Sequence, residues 1–140
     1  MRTTVNSIAA LAALSIAVSA CSFSTANLSE IKFGKDKSAS SPSTNFKSED
    51  EIFAVTAVNN AGGKNKVKFR LLFDNVEGAK SGSVAYKLEK ELEVDGSRDV
   101  YFSFSVPSGI VPGSYKTEVV LLGEDNKELD RKTASFTVSE

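Results

Sequence analysis

Histidine and tryptophan are absent from these 140 residues, and cysteine and methionine occur once each. Each absence closes a route. Without histidine, the commonest general base and imidazole metal ligand are missing. A single cysteine, Cys21, cannot close an internal disulfide, so an apolar core has to hold the fold. Charge of one sign is lacking too: 17 Lys and Arg stand against 18 Asp and Glu, a formal net charge of −1. Phosphate backbones demand a basic stripe that such a balance does not offer, so nucleic acid is not an expected partner. No P-loop, G-x-G-x-x-G or G-x-S-x-G spacing appears. These gaps predict a chain that is not an enzyme and carries no cofactor.

What is present begins near the start. Residues 7–20 (SIAALAALSIAVSA) are apolar and rich in small side chains, with neither charge nor proline, and Arg2 alone precedes them as a charge. Fourteen residues suit the apolar region of an export signal and fall short of the ~20 that span a bilayer. The stretch ends Val18-Ser19-Ala20-Cys21. This resembles the lipobox of bacterial lipoproteins, an aliphatic residue and two small ones before the cysteine. The resemblance implies cleavage between Ala20 and Cys21, a diacylglyceryl thioether on Cys21, and usually a further acyl chain such as palmitate on the freed amine. Two or three chains hold a protein on a membrane, since each buried CH₂ contributes about 0.8 kcal/mol. Ser22 rather than Asp follows Cys21, which by the same resemblance implies the outer membrane in a Gram-negative cell.

After the leader come 120 residues, enough for one domain and one core. Residues 27–33 (NLSEIKF) form a short alternating segment. Residues 34–48 (GKDKSASSPSTNFKS) lack apolar periodicity apart from Phe46 and read as a loop or tether. The predicted division is therefore a signal at 1–20, a lipidated tether with a short strand at 21–48, and a folded domain at 49–140. An alternative division makes residues 27–33 the first strand of that domain.

From Glu51 onward the period is two. Residues 52–58 (IFAVTAV) are almost wholly apolar, as in a strand covered on both faces. The turn residues Asn59-Asn60-Ala61-Gly62-Gly63 follow. Val67, Phe69, Leu71 and Phe73 then point one way while Lys66, Lys68 and Arg70 point the other. In residues 84–94, Val84, Tyr86, Leu88, Leu92 and Val94 share a strand phase, although Val84, Leu88 and Leu92 also fit a helical stripe. This segment is predicted as a strand broken near Lys90. Asp95-Gly96 predicts a hairpin into the alternation Val100, Phe102, Phe104, Val106. Residues 107–112 read as a loop, and strands follow at 115–122 and 129–138.

Seven or eight short strands with turns about every ten residues predict an all-β antiparallel sandwich of immunoglobulin-like type. Within residues 112–119, Gly113-Ser114-Tyr115 resembles the G-x-Y entry to the penultimate strand of bacterial immunoglobulin-like and fibronectin-like domains. That resemblance implies a tyrosine corner, with the Tyr115 ring in the core and its hydroxyl on nearby backbone. The paired cysteines and core tryptophan of antibody domains are missing here.

Three acidic clusters remain: Glu49-Asp50-Glu51, residues 95–99 (DGSRD), and Glu124-Asp125-Asn126. Calcium takes six to eight oxygens from a shaped loop. Asp95, Asp99, Glu124 and Asp125 are the candidates for that role, against the ordinary reading of solvated loop tips. Leu72, Tyr101, Val120 and Leu122 are apolar but out of phase, and they mark a second packed layer, a sheet edge or a partner patch. The expectation is a lipid-anchored, non-catalytic binding or structural module of the cell envelope, partnered by the membrane and another envelope component. The alternative is a small-ligand or calcium-binding accessory lipoprotein.

Overall fold

The computed structural model describes residues 25–140; the signal segment, the lipobox and Cys21 lie outside the described residues. Nine strands and no helix occur among those described. They are β1 (Asn27–Leu28), β2 (Lys32–Gly34), β3 (Asn45–Lys47), β4 (Ile52–Asn59) and β5 (Lys64–Asn75), then β6 (Val84–Asp95), β7 (Arg98–Phe104), β8 (Gly113–Leu122) and β9 (Glu128–Ser139). Two sheets result. One runs β3-β9-β8-β5-β6, and in the other β4 pairs with β1 and β2 along one edge and with β7 along the other.

The larger sheet grows from clean alternation. Val67, Phe69 and Leu71 of β5 are fully buried, and so are Tyr115, Val119 and Leu121 of β8. Both strands extend over ten or more residues, and the β5–β8 and β8–β9 ladders are antiparallel almost end to end. From the smaller sheet, Ile52, Ala54 and Val58 of β4 and Val100, Phe102 and Phe104 of β7 face the same core. Rings join the two sheets: Phe69 meets Phe102 at 5.6 Å between centroids, and Phe136 meets Phe33 at 4.9 Å and Phe104 at 5.5 Å. The all-β prediction is therefore met in one shared core, with more strands than expected.

Residues 34–48 depart from the tether prediction. Phe46 is buried, and its strand β3 pairs in parallel with the distant β9, Phe46 lying opposite Val138. Ala39 is buried as well, tucked against Gly34 where a Cβ would approach the Ala39 Cα to 2.7 Å. Both β1 and β2 pair with β4, so the folded body begins near Ala26 rather than at residue 49. Two isolated apolar residues in a polar run carry no period, and only tertiary pairing reveals their burial.

Two turns also differ from their predictions. Asp95-Gly96 does not close a hairpin, because β6 lies in the larger sheet and β7 in the smaller. Gly96, at φ +75°, turns the chain across from one sheet to the other, with Asp95 paired to Lys64 and Arg98 to Val58. An Asp-Gly pair specifies a reversal and leaves open whether the flanking strands bond each other. Residues 84–94 are strand throughout, and their irregularity falls at Tyr86-Lys87 rather than at Lys90. Both residues have positive φ (54° and 56°), and the register with β5 jumps from Arg70↔Glu89 to Leu72↔Val84. This is an enlarged β-bulge built without glycine.

Candidate functional site

The four candidate cation ligands stay apart in role. Asp95 ends β6 and Asp99 lies in β7 opposite Ala57, both exposed. Glu124 and Asp125 sit in the β8–β9 turn, where the Asp125 carboxylate accepts a bond from the Lys127 amide at 3.1 Å. Among the described residues, no three side chains of the ligating types converge as a metal site. In the first acidic cluster Asp50 is already engaged, accepting the Lys47 amide at 2.7 Å and facing Lys35 at 3.3 Å.

A different carboxylate organises its loop. Asp36 accepts bonds from the amides and hydroxyls of both Ser38 and Ser40. With four donors aimed at it, the carboxyl is held far below the usual aspartate range, led by the Ser40 hydroxyl. The serine-rich run that looked structureless is thus a closed turn.

Tyr115 sits fully buried in β8, and its hydroxyl donates to the Val111 carbonyl at 2.5 Å. The bulge in β6 brings in a second tyrosine. The Val111 amide donates to the Tyr86 hydroxyl, and the two hydroxyls lie 2.9 Å apart, so three bonds close a ring. Burial, with the Tyr86 hydroxyl second, raises the Tyr115 phenol well above the usual tyrosine range. Gly113 is required beside it: at φ +151°, a Cβ would come within 2.7 Å of the Asn75 carbonyl. Sequence reading found Tyr115 and missed Tyr86, because a non-glycine bulge leaves no compositional mark.

The outward face of the larger sheet carries ions. Glu118, only 8% exposed, takes Arg70 on one oxygen at 2.8 Å and Arg131 on the other at 2.8 Å. Arg131 also pairs with Glu128. Beneath these long side chains Val120 and Leu72 are buried, and Leu122 is half-buried. The out-of-phase apolar residues of this sheet are covered by charged stems. Tyr101 differs. It lies on the outward face of the smaller sheet, 39% exposed, beside Phe53 at 5.9 Å and with the Lys37 ammonium 5.6 Å from its ring centre.

Between the edges of β6 and β7 runs an open groove of ≈ 220 Å³, lined by Leu92, Glu93 and Val94 on one side and by Arg98, Asp99 and Tyr101 on the other. A second hollow of ≈ 240 Å³ lies at the turn end between Lys64, Lys66, Glu93 and Glu124. Ser29 and Lys32 have the S-x-x-K spacing that some serine hydrolases place on a helix, a pattern that composition and strand phase do not single out. Ser29 lies in the irregular link between β1 and β2, outside either strand. The Ser29 hydroxyl accepts from Asn59 at 3.0 Å.

No protein-family model matches the chain, and no curated protein matches it in sequence. Solved structures match it in shape. One is an alkylpurine DNA glycosylase from Pseudomonas fluorescens, bound to DNA containing an abasic site analog. It aligns with a TM-score of 0.50 at 10% identity, over 83% of this chain and 31% of that one. A β-glucosidase from Kluyveromyces marxianus, in complex with glucose, gives 0.45 at 14% identity, over 83% and 14%. The chain thus spans only 31% and 14% of these neighbours' lengths. The glycosylase corrects the prediction that this chain is not an enzyme, since the same fold occurs as part of one and the architecture does not place the chain outside catalysis. At 10% identity the likeness itself extends to the fold alone.

Proposed function

We propose that the chain is a lipid-anchored module of the cell envelope whose immunoglobulin-like sandwich engages another envelope macromolecule. One observation carries this reading: the charge-free run 7–20 ends in Val18-Ser19-Ala20-Cys21, and Cys21 is the only cysteine in the sequence. The strand order supports the immunoglobulin-like assignment. A short first strand pairs in the smaller sheet, a later segment pairs in parallel with the last strand, and the chain crosses between sheets at 35–44, 48–51, 60–63, 96–97 and 105–112. The Tyr115 hydroxyl bonded back to Val111 supports a tyrosine corner at the entry to the penultimate strand. The exposed Tyr101 on the outward face of the smaller sheet favours a macromolecular partner over an enclosed small ligand. By the resemblance to Gram-negative lipoproteins, the destination is the outer membrane.

Mass spectrometry of the mature N-terminal peptide tests the anchor. Acyl mass on Cys21, with membrane retention lost in Cys21→Ala, is the expected result. An unmodified thiol in the membrane-purified protein sinks the reading.

A further inference from the structure

The strand order places the start of the described chain at one end of the domain. Strand β1 is the first described element and runs antiparallel to β4, with Asn27 opposite Asn59. Its Leu28 amide donates to Asp130 at 2.8 Å, and Ala26 just before it is already buried. The chain therefore enters the body beside the 60–63 turn. The turns at 96–97 and 123–127 lie at the same end, since Gly96 donates to the Gly63 carbonyl at 3.1 Å and Glu124 reaches within 3.8 Å of the Cβ position of Gly63. The segments at 48–51 and 105–112 lie at the opposite end, where Ile110 donates to the Ser48 carbonyl at 2.8 Å.

Six residue steps separate Cys21 from Asn27. Fully extended they reach at most about 20 Å. The run 34–48, which would have lengthened that reach, is folded into the body instead.

We infer that the turn end formed by residues 60–63, 96–97 and 123–127 lies directly against the lipid headgroups, with the 105–112 end pointing away from the membrane. This rests on the lipidation of Cys21. The chemistry of the end suits contact without insertion. Lys64, Arg98 and Lys127 balance Asp95, Glu124 and Asp125, and the exposed large apolar side chains, Tyr101 and Val111, are not in these turns. A charge-balanced polar surface is neither repelled by headgroups nor drawn into the acyl region.

The test uses the full-length lipidated protein in phosphatidylcholine vesicles that carry a headgroup-attached energy acceptor. A donor dye goes on a cysteine introduced by Gly62→Cys or by Ser108→Cys. Both sites are exposed, and nothing lies within 4 Å of the Gly62 Cβ position. Cys21 is blocked by its lipid, so only the introduced thiol reacts. A ten-residue strand, β8, separates the two ends, about 33 Å of rise. Strong transfer from residue 62 and several-fold weaker transfer from residue 108 are expected, with no quenching of either dye by an acyl-chain quencher. Equal or reversed transfer overturns the orientation while leaving the anchor intact. Acyl-chain quenching at residue 62 overturns the surface contact. Protein that does not sediment with the vesicles removes the anchor itself, and the inference with it.

Discussion

The outward faces of the two sheets solve one problem in different ways. Each strand that alternates in and out leaves some apolar residues on the wrong side. On the larger sheet these are Val120 and Leu72, roofed by Lys and Arg stems and by the Arg70–Glu118–Arg131 chain of ion pairs. On the smaller sheet they are Phe53, Val55 and Tyr101: Phe53 is buried beside the Tyr101 ring, while Tyr101 itself stays exposed with the Lys37 ammonium 5.6 Å from its ring centre. Long side chains on four neighbouring long strands can reach across each other. The smaller sheet has one long strand, flanked by segments of two, three and seven residues, and cannot assemble such a roof. Strand length thus decides which face is closed and which stays available.

The deepest test of this contrast removes what the two sheets share. Phe136 of β9 meets Phe46, Phe104, Phe33 and Tyr115, spanning both sheets, and is 1% exposed. Phe136→Ala is expected to cost about 3–5 kcal/mol of unfolding free energy. Urea denaturation of the 25–140 fragment measures it, with Phe136→Leu as the milder companion. A loss under 1 kcal/mol would mean that the sheets are stable separately.

Removing the roof comes next. Glu118→Ala strips both arginines of their central partner and uncovers Val120, for an expected cost of about 1–3 kcal/mol. The effect should persist in high salt, because the Glu118 side chain is buried and poorly screened. A loss that disappears in 1 M salt would make the network an ordinary surface feature.

This face is half legible in the sequence. The alternation of Val67, Phe69 and Leu71 is enough by itself to set the core side of β5, because a period of two is a local property. Glu118 is not legible: in an alternating strand a glutamate reads as solvated, and its burial depends on arginines 48 and 13 residues away. Phe46 fails for the same reason, since its strand is paired with residues about 92 positions distant. The Asp95-Gly96 pair marks a turn, while the sheet each flank joins goes unmarked. Tyr115 is reached through the resemblance of Gly113-Ser114-Tyr115 to a G-x-Y strand entry, and the structure shows why the glycine stands there: the backbone at Gly113 tolerates no side chain. Local chemistry wrote the turns and the phase; non-local pairing wrote the burial of polar and isolated residues.

The smaller sheet leans on the larger through Asp130, whose carboxylate accepts the Leu28 amide and ties β1 down. That bond, with smaller help from the Arg131 amide and Lys132, holds Asp130 below its ordinary value of 3.8. A folded-state value below the unfolded one adds stability above the unfolded value, and that stability is lost as pH falls through the folded one. Acid should therefore release β1 selectively. In NMR, the Leu28 amide resonance is expected to titrate with a midpoint below 3.8 while the β5–β8 amides hold. Asp130→Asn should weaken the bond, and Leu28 amide protection should fall several-fold at neutral pH. Loss of all strands together in acid would instead tie β1 to global unfolding.

The smallest effect is expected where the roof is missing. Tyr101→Ser removes a ring that shelters Phe53 and lies opposite Val55, a cross-strand pairing worth under about 1 kcal/mol. If this face is kept open for a partner, the substitution should leave the unfolding midpoint almost unchanged and abolish partner crosslinking in intact cells. If the ring only covers its neighbours, stability and crosslinking should fall together. Paired with Glu118→Ala, which should cost stability and leave crosslinking in the folded fraction untouched, this separates a face built to be shut from one built to be used.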